Sequence, residues 1–332
     1  MKKSLKKLAL FCVFGISTGF LSVYGAPGKD APPPPSAEPI PVTVYAIRGP
    51  TGVGMIRLFE TPPRIPGMEI TMEALTQADL IAARFISGEA KIGILPANVA
   101  AKIASGGKPV QIAAITGLGM LSLLTSDNSI QKIEDLRGKT VEVTGQGATP
   151  DFVFRRILIS RGINPDRDLR LGYALAYPEI AQSLIAGRVS TALLPEPFAS
   201  MARAGNSALR DVADVQAEWI RAGGSGNYPM TVLVVNADFA QTHADALRTI
   251  LDEIRDSIHW VVANPAEAGA LVEKHAWGLR APVISAAVPR SNYVYTPARE
   301  GRPSLEALFK VFLEFAPESI GGSLPPDSFY LN

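Results

Sequence analysis

The sequence predicts an α/β fold of two similar lobes around a cleft, and three observations carry that expectation. The first is an internal repeat. Phe85-Ile-Ser-Gly-Glu-Ala-Lys-Ile-Gly-Ile-Leu-Pro-Ala-Asn-Val-Ala100 recurs 99 residues later as Leu184-Ile-Ala-Gly-Arg-Val-Ser-Thr-Ala-Leu-Leu-Pro-Glu-Pro-Phe-Ala199. The offset extends upstream without a gap: Val42 to Val44 fall on Val141 to Val143, and Ile70 falls on Leu169. So long a period marks a duplicated lobe, because solenoid units repeat every 20–50 residues or about that. The second observation is a regular alternation of strand and helix patterns, the signature of parallel strands with crossover helices. The third is composition. The 332 residues are 47% hydrophobic and 19% charged, ordinary for a globular chain of about two domains.

The elements follow in order. Val42 to Arg48 reads as a strand, then a glycine-rich turn and a short helix from Gly54 to Glu60. Met68 to Ala74 is a strand. Asp79 to Ser87 is a helix with Ile81 and Phe85 four apart on one face. Strand Ile92 to Leu95 stops at Pro96, helix Val99 to Ala104 follows, and Val110 to Thr116 is the next strand. The second copy repeats the order. Strand Thr140 to Thr144 leads through Gly145-Gln-Gly-Ala-Thr-Pro150 into a helix ending at Ser160. Strand Leu169 to Tyr173, helix Glu179 to Ala186 and strand Thr191 to Leu194 complete it. Two apolar stretches, Met120 to Thr125 and Met230 to Asn236, read as crossings between lobes. Helices Ala244 to Ala263, Ala266 to Lys274 and Ser304 to Phe315 have no counterpart in the second copy and are expected to fold back on the first lobe. The expected division is 42–120 with 231–332 for the first lobe and 121–230 for the second. Two connections of this kind favour a hinge.

The first 25 residues read as an export signal. Lys2, Lys3, Lys6 and Lys7 precede an apolar run from Leu8 to Leu21, and Val23-Tyr-Gly25 offers small residues for cleavage. The sole cysteine, Cys12, lies inside this run. Lipidation there is the alternative, disfavoured by bulky Phe11 before it. Residues 26–41, with Pro32 to Pro35, read as a polyproline-like linker. The net charge of +1 gives no basic footprint for nucleic acid.

Ligands of open α/β sheets bind outside the carboxyl ends of the strands. The repeat places four loops there: Gly49-Pro50-Thr51-Gly52, Pro96-Ala-Asn98, Gly147-Ala148-Thr149-Pro150 and Pro195-Glu196-Pro197. The two Gly/Thr loops precede helices whose free N–H groups suit a carboxylate, sulfonate or phosphate. Thr51 and Thr149 add hydroxyls, although Thr and Pro also merely cap helices. Gln146 lies in the same second-lobe loop, and Thr116 ends its strand at the same edge. Asn98 can donate and accept through its amide, or cap a helix. Glu196 suits a ligand amine, imide or hydroxyl, or is an exposed charge. Tyr173 and Tyr177 are placed to stack on a ring or to cover the core edge, and Tyr228 is of the same kind near the return crossing.

Enzyme signatures do not emerge. His243, His259 and His275 lack metal-ligand spacing and read as surface or packing residues. Gly52-Val-Gly54 is followed by neither a phosphate-loop nor a dinucleotide pattern. No metal site or cofactor is expected.

Gly49-Pro-Thr-Gly-Val-Gly54, Ser87 to Pro96, Ile133-Glu-Asp-Leu-Arg-Gly-Lys-Thr140 and Leu194-Pro-Glu-Pro197 resemble solute-binding proteins of ABC importers, in the nitrate/sulfonate/taurine and thiamine-precursor family. The resemblance covers about residues 42 to 330. It implies the type II periplasmic-binding-protein fold, two pseudo-symmetric lobes joined by two crossing strands. It also implies capture of a small molecule (an anion, sulfonate or heteroaromatic ring) by lobe closure, an ABC permease as partner, and a periplasmic, non-enzymatic role. The cleft loops contain no Arg or Lys, unlike binders that clamp an anion by salt bridge. Pyrimidine synthases of the same fold use a histidine and a cysteine-rich motif that this chain lacks. The binding component of a TRAP-type transporter and a lyase or synthase on the same scaffold are the alternatives.

Overall fold

A computed structural model describes residues 38–49 and 51–332. The expected signal segment with Cys12, the linker up to residue 37 and Pro50 lie outside the described residues. Among the described residues, eleven strands form two sheets. β1 (Ile40–Ile47), β2 (Met68–Leu75), β3 (Ile92–Pro96) and β4 (Val110–Leu118) belong to the first. β5 (Leu121–Thr125), β6 (Thr140–Val143), β7 (Arg170–Gly172), β8 (Thr191–Pro195) and β9 (Arg210–Asp211) form the second. β10 (Pro229–Asn236) and β11 (Tyr293–Pro297) return to the first. β1 starts two residues earlier than the sequence suggests, since Ile40 and Pro41 already pair with Met68 and Glu69.

The orders are β11-β4-β10-β3-β1-β2 and β7-β6-β8-β5-β9. Each sheet therefore has a parallel trio, β2-β1-β3 or β7-β6-β8, flanked by an antiparallel strand that has just crossed from the other lobe: β10 beside β3, and β5 beside β8. β10 is buried at all eight positions, because it runs between β3 and β4 with both faces covered. Pro229 and Asn236, which bound it, are where its ladder ends.

The repeat is carried into the structure with one slip. Gly93 pairs with Tyr45 in the first sheet. Ala192, 99 residues after Gly93, pairs with Glu142, only 97 residues after Tyr45. β6 is thus slid by two residues relative to its neighbours. An even slip keeps every side chain on its original face, so the apolar pattern alone cannot detect it.

The tail packs on the first lobe. Helix Ala244–Ala263 buries Leu247, Ile250, Ile254, Ile258 and Val261, spaced three and four apart as one apolar stripe. Ser257 Oγ donates to the Gly54 carbonyl at 3.0 Å, tying this helix to the short 3₁₀ turn Val53–Met55. β11 pairs with β4 and was not foreseen in sequence. Nor were the short helices Phe198–Gly205, Val215–Arg221 and Ala281–Ala287. No helix among the described residues is long and apolar enough to cross a membrane.

At the outgoing crossing, Gly119 is held from three directions. Its N–H donates to Asn227 Oδ1 at 3.1 Å, and its carbonyl accepts from Gln216 Nε2 at 2.6 Å and from Asn292 Nδ2. A Cβ here would lie 2.3 Å from Asn227 Oδ1, so only glycine fits.

Candidate functional site

The second-lobe loop Gly145–Ala148 turns through two left-handed glycines, Gly145 (φ 70°) and Gly147 (φ 74°), into helix Thr149–Ser160. Thr149 and Pro150 are the first helical residues rather than loop. The Ala148 N–H donates to the Gly145 carbonyl at 2.8 Å, and the Gly147 N–H to Asp151 Oδ2 at 2.8 Å. Asp151 is 2% exposed. Its other oxygen accepts from Arg155 Nε at 2.7 Å and from the Tyr173 hydroxyl at 2.6 Å. Arg155 also reaches Asp166 at 2.7 Å. Burial, with the Asp151 charge beside it, pushes the Tyr173 phenol up. Gln146 is exposed. The hydroxyls of Thr144 and Thr149 are buried and have no hydrogen-bond partner.

The loop after β8 is built differently. Glu196 and Pro197 are joined by a cis peptide bond. The expectation that Glu196 presents a free carboxylate is corrected: the side chain is buried and consumed. Oε2 accepts from the Ser200 N–H at 2.9 Å, capping helix Phe198–Gly205, and Oε1 accepts from Arg203 Nη1 at 3.0 Å. Arg203 also binds Ser122 Oγ at 2.8 Å and Asp211 at 2.6 Å. Arg203 follows Glu196 by two helical turns, a spacing visible in the sequence but not used there.

In the first lobe, Gly49 (φ 127°) starts the turn and accepts from the Gly52 and Val53 N–H groups. Gly52 packs under the Trp277 ring. The Thr51 hydroxyl turns back to the Ile47 carbonyl at 3.4 Å, unlike the unpartnered Thr149 hydroxyl. The two threonines are not equivalent: Thr51 lies in the turn before the 3₁₀ segment, whereas Thr149 is the first residue of an α-helix. Asn98 sits in the first turn of helix Ala97–Ser105, 8% exposed, with its Oδ1 unpartnered. The Thr116 hydroxyl is spent on Thr231, 2.9 Å away within the sheet.

Loops of the two lobes meet. The Phe198 ring lies 3.5 Å from the point where a Cβ on Gly49 would project, and it stacks on Tyr177 at 5.7 Å between centroids. Tyr177, the first residue of helix Tyr177–Ile185, brings its hydroxyl to the Gly145 turn. Burial pushes its phenol up. Tyr293 opens β11 beside Gly54; burial and, secondarily, the Glu196 charge raise its phenol. Sequence reasoning missed Tyr293, since the tail has no partner in the repeat. Tyr228 is corrected from a candidate contact to a core residue, 1% exposed with its ring against Trp219. His275 bonds Glu60 Oε1 at 2.6 Å, and His243 stacks on Phe239. A cavity of about 520 Å³ lies beside the outgoing crossing, lined by Ser122, Arg203, Asp211, Gln216, Asn227 and Arg290, and none of the predicted loop residues lines it. No cluster of metal-binding side chains occurs among the described residues.

A family model described as the NMT1-like family matches residues 67–274, more than half of the chain. The chain belongs to the NMT1-like family. Solved structures share its fold. One, an ABC transporter protein from Parabacteroides distasonis, is 25% identical, with 88% of this chain and 98% of that one covered and a TM-score of 0.75. The periplasmic aliphatic sulphonate binding protein SsuA from Escherichia coli is 16% identical, covering 89% and 93%, with a TM-score of 0.71. The periplasmic nitrate-binding protein NrtA from Synechocystis is 12% identical, covering 85% and 84%, with a TM-score of 0.63. Comparison with curated proteins gives no match. This NMT1-like chain thus has the two-lobed binding-protein fold, and the resemblance read from its motifs holds. The structural relatives are binding proteins rather than enzymes.

Proposed function

We propose that this chain is the exported solute-binding receptor of an ABC importer, holding a small organic molecule between its lobes and delivering it to a membrane permease. The lobes are residues 42–120 with 231–332, and 121–230. The signal segment is removed near Gly25, and the protein works in the periplasm by binding, without turnover. One observation carries the site. The Thr144 and Thr149 hydroxyls and the Asn98 amide oxygen are buried, unpartnered, and lie at the carboxyl ends of the parallel strands of the two sheets. A buried polar atom left unpaired costs roughly 1–3 kcal/mol, which a ligand bridging the lobes recovers. Gly49, Thr51, Gly52, Gln146, Gly147, Ala148 and Tyr177 frame the same mouth. Closure follows from contacts that exist only when both lobes hold the ligand.

The test is mass spectrometry of small molecules retained through native purification, followed by titration of the retained compound into the wild type and Thr149→Val. Retention of a compound whose affinity falls in the variant is the expected result. Unchanged affinity removes this loop from the site.

A further inference from the structure

We propose that the cleft selects an uncharged ligand and turns anions away, with Asp151 and Glu196 as specificity-determining residues. This rests on the receptor reading above and names the ligand class for that site.

A helix N-terminus normally invites an anion through its free N–H groups and partial positive charge. Two of the second-lobe helices that begin at the cleft edge carry a buried carboxylate there instead. At Thr149–Ser160, Asp151 takes the Gly147 N–H at 2.8 Å. The Ala148 N–H goes to Gly145 and the Phe152 N–H to Ala148, while Pro150 has none to give. What remains at this end includes the Thr149 hydroxyl, 2% exposed and unpartnered, a neutral group that both donates and accepts. At Phe198–Gly205, Glu196 takes the Ser200 N–H at 2.9 Å and is 1% exposed.

The arginines that pack against these two helix starts are already spent. Arg155 bonds Asp151 and Asp166; Arg203 bonds Glu196 and Asp211. In the first lobe the corresponding helix, Ala97–Ser105, has no carboxylate in its first turn, and there the buried Asn98 amide oxygen, an acceptor, faces what an anion would occupy. An anion entering at these two helix starts leaves water for two buried carboxylates whose arginines are already paired, a desolvation that they do not repay. An uncharged molecule carrying both donor and acceptor atoms meets hydroxyls and an amide that match it.

The test is calorimetric titration of sodium nitrate and sodium ethanesulfonate into the intact protein and into Asp151→Asn, with circular dichroism to confirm folding. The wild type should show no saturable heat at millimolar anion. The variant frees the Gly147 N–H and releases part of the Arg155 charge, so anion affinity should rise at least about tenfold, the scale of one charge-assisted hydrogen bond. Asp151→Glu should keep the exclusion. Micromolar binding of either anion to the wild type overturns the proposal, as does a folded Asp151→Asn that still ignores both. Should Asp151→Asn fail to fold, the charge of the compound retained by the wild type decides: a neutral compound supports the proposal and an anionic one defeats it. A protein whose melting temperature no cell-extract fraction shifts fails as a receptor altogether, a different result from one that binds anions.

Discussion

The Phe198 ring of the second lobe stands 3.5 Å from the point where a side chain on Gly49 of the first would begin. The two lobes touch through a position that can carry no side chain without strain, since Gly49 has φ 127°. Gly49→Val should therefore wedge the lobes apart as well as strain the turn. Strain of this kind costs about 1–3 kcal/mol. Small-angle scattering should show a larger radius of gyration, and thermal unfolding a lower Tm. An unchanged radius would show that the contact does not govern closure.

Thr149→Val and Thr51→Val should behave differently. The Thr149 hydroxyl has no protein partner, so its isosteric loss should raise the stability of the free protein by about 1 kcal/mol while weakening ligand binding by a similar amount. The Thr51 hydroxyl faces the Ile47 carbonyl, so Thr51→Val should leave affinity nearly unchanged. Calorimetry and thermal melts of both variants check the contrast. Equal losses of affinity would restore the symmetric reading of the two loops.

Arg203→Met should be among the most damaging single changes, because it leaves Glu196 buried with an unpaired charge. Breaking one side of a buried pair costs roughly 3–5 kcal/mol. The double variant Arg203→Met, Glu196→Gln should recover much of it, since the charge then disappears. Chemical denaturation of the three proteins measures the recovery, and an absence of rescue would place the cost in lost packing instead.

Alkaline pH should unfold the protein in a defined window. Burial, above all other causes, raises the phenols of Tyr177, Tyr228, Tyr293, Tyr295 and Tyr330, with Tyr295 and Tyr330 pushed up to about 12. Each raised pKa means stability that is complete below the unfolded value near 10 and is lost as pH rises through the folded value. Denaturant midpoints should be flat up to about pH 10 and fall steeply beyond it. A midpoint that stays constant to pH 12 would contradict this burial.

Much of the architecture was legible in the sequence because its signals are local. The offset of 99 residues, the apolar runs ended by Pro96 and Pro195, and the helical stripe of Ala244–Ala263 are patterns between near neighbours. They suffice for two α/β lobes, for the order of most strands, and for the loops at the carboxyl ends. β9 and β11 escaped, being short edge strands whose pairing with β5 and β4 is the only thing that makes them strands.

What the sequence determined by itself was which segments build the lobes and which residues stand near their shared edge. Tertiary structure alone decided what those residues do. Thr51 and Thr149 look alike in sequence, yet one hydroxyl turns back to the Ile47 carbonyl and the other is buried with no partner. Glu196 looks free, yet Arg203 and the Ser200 N–H claim it. The physical reason is that a side chain's chemistry depends on its partners in space. The energies that choose those partners come from pairing across strands and burial between elements, neither of which periodicity along the chain records.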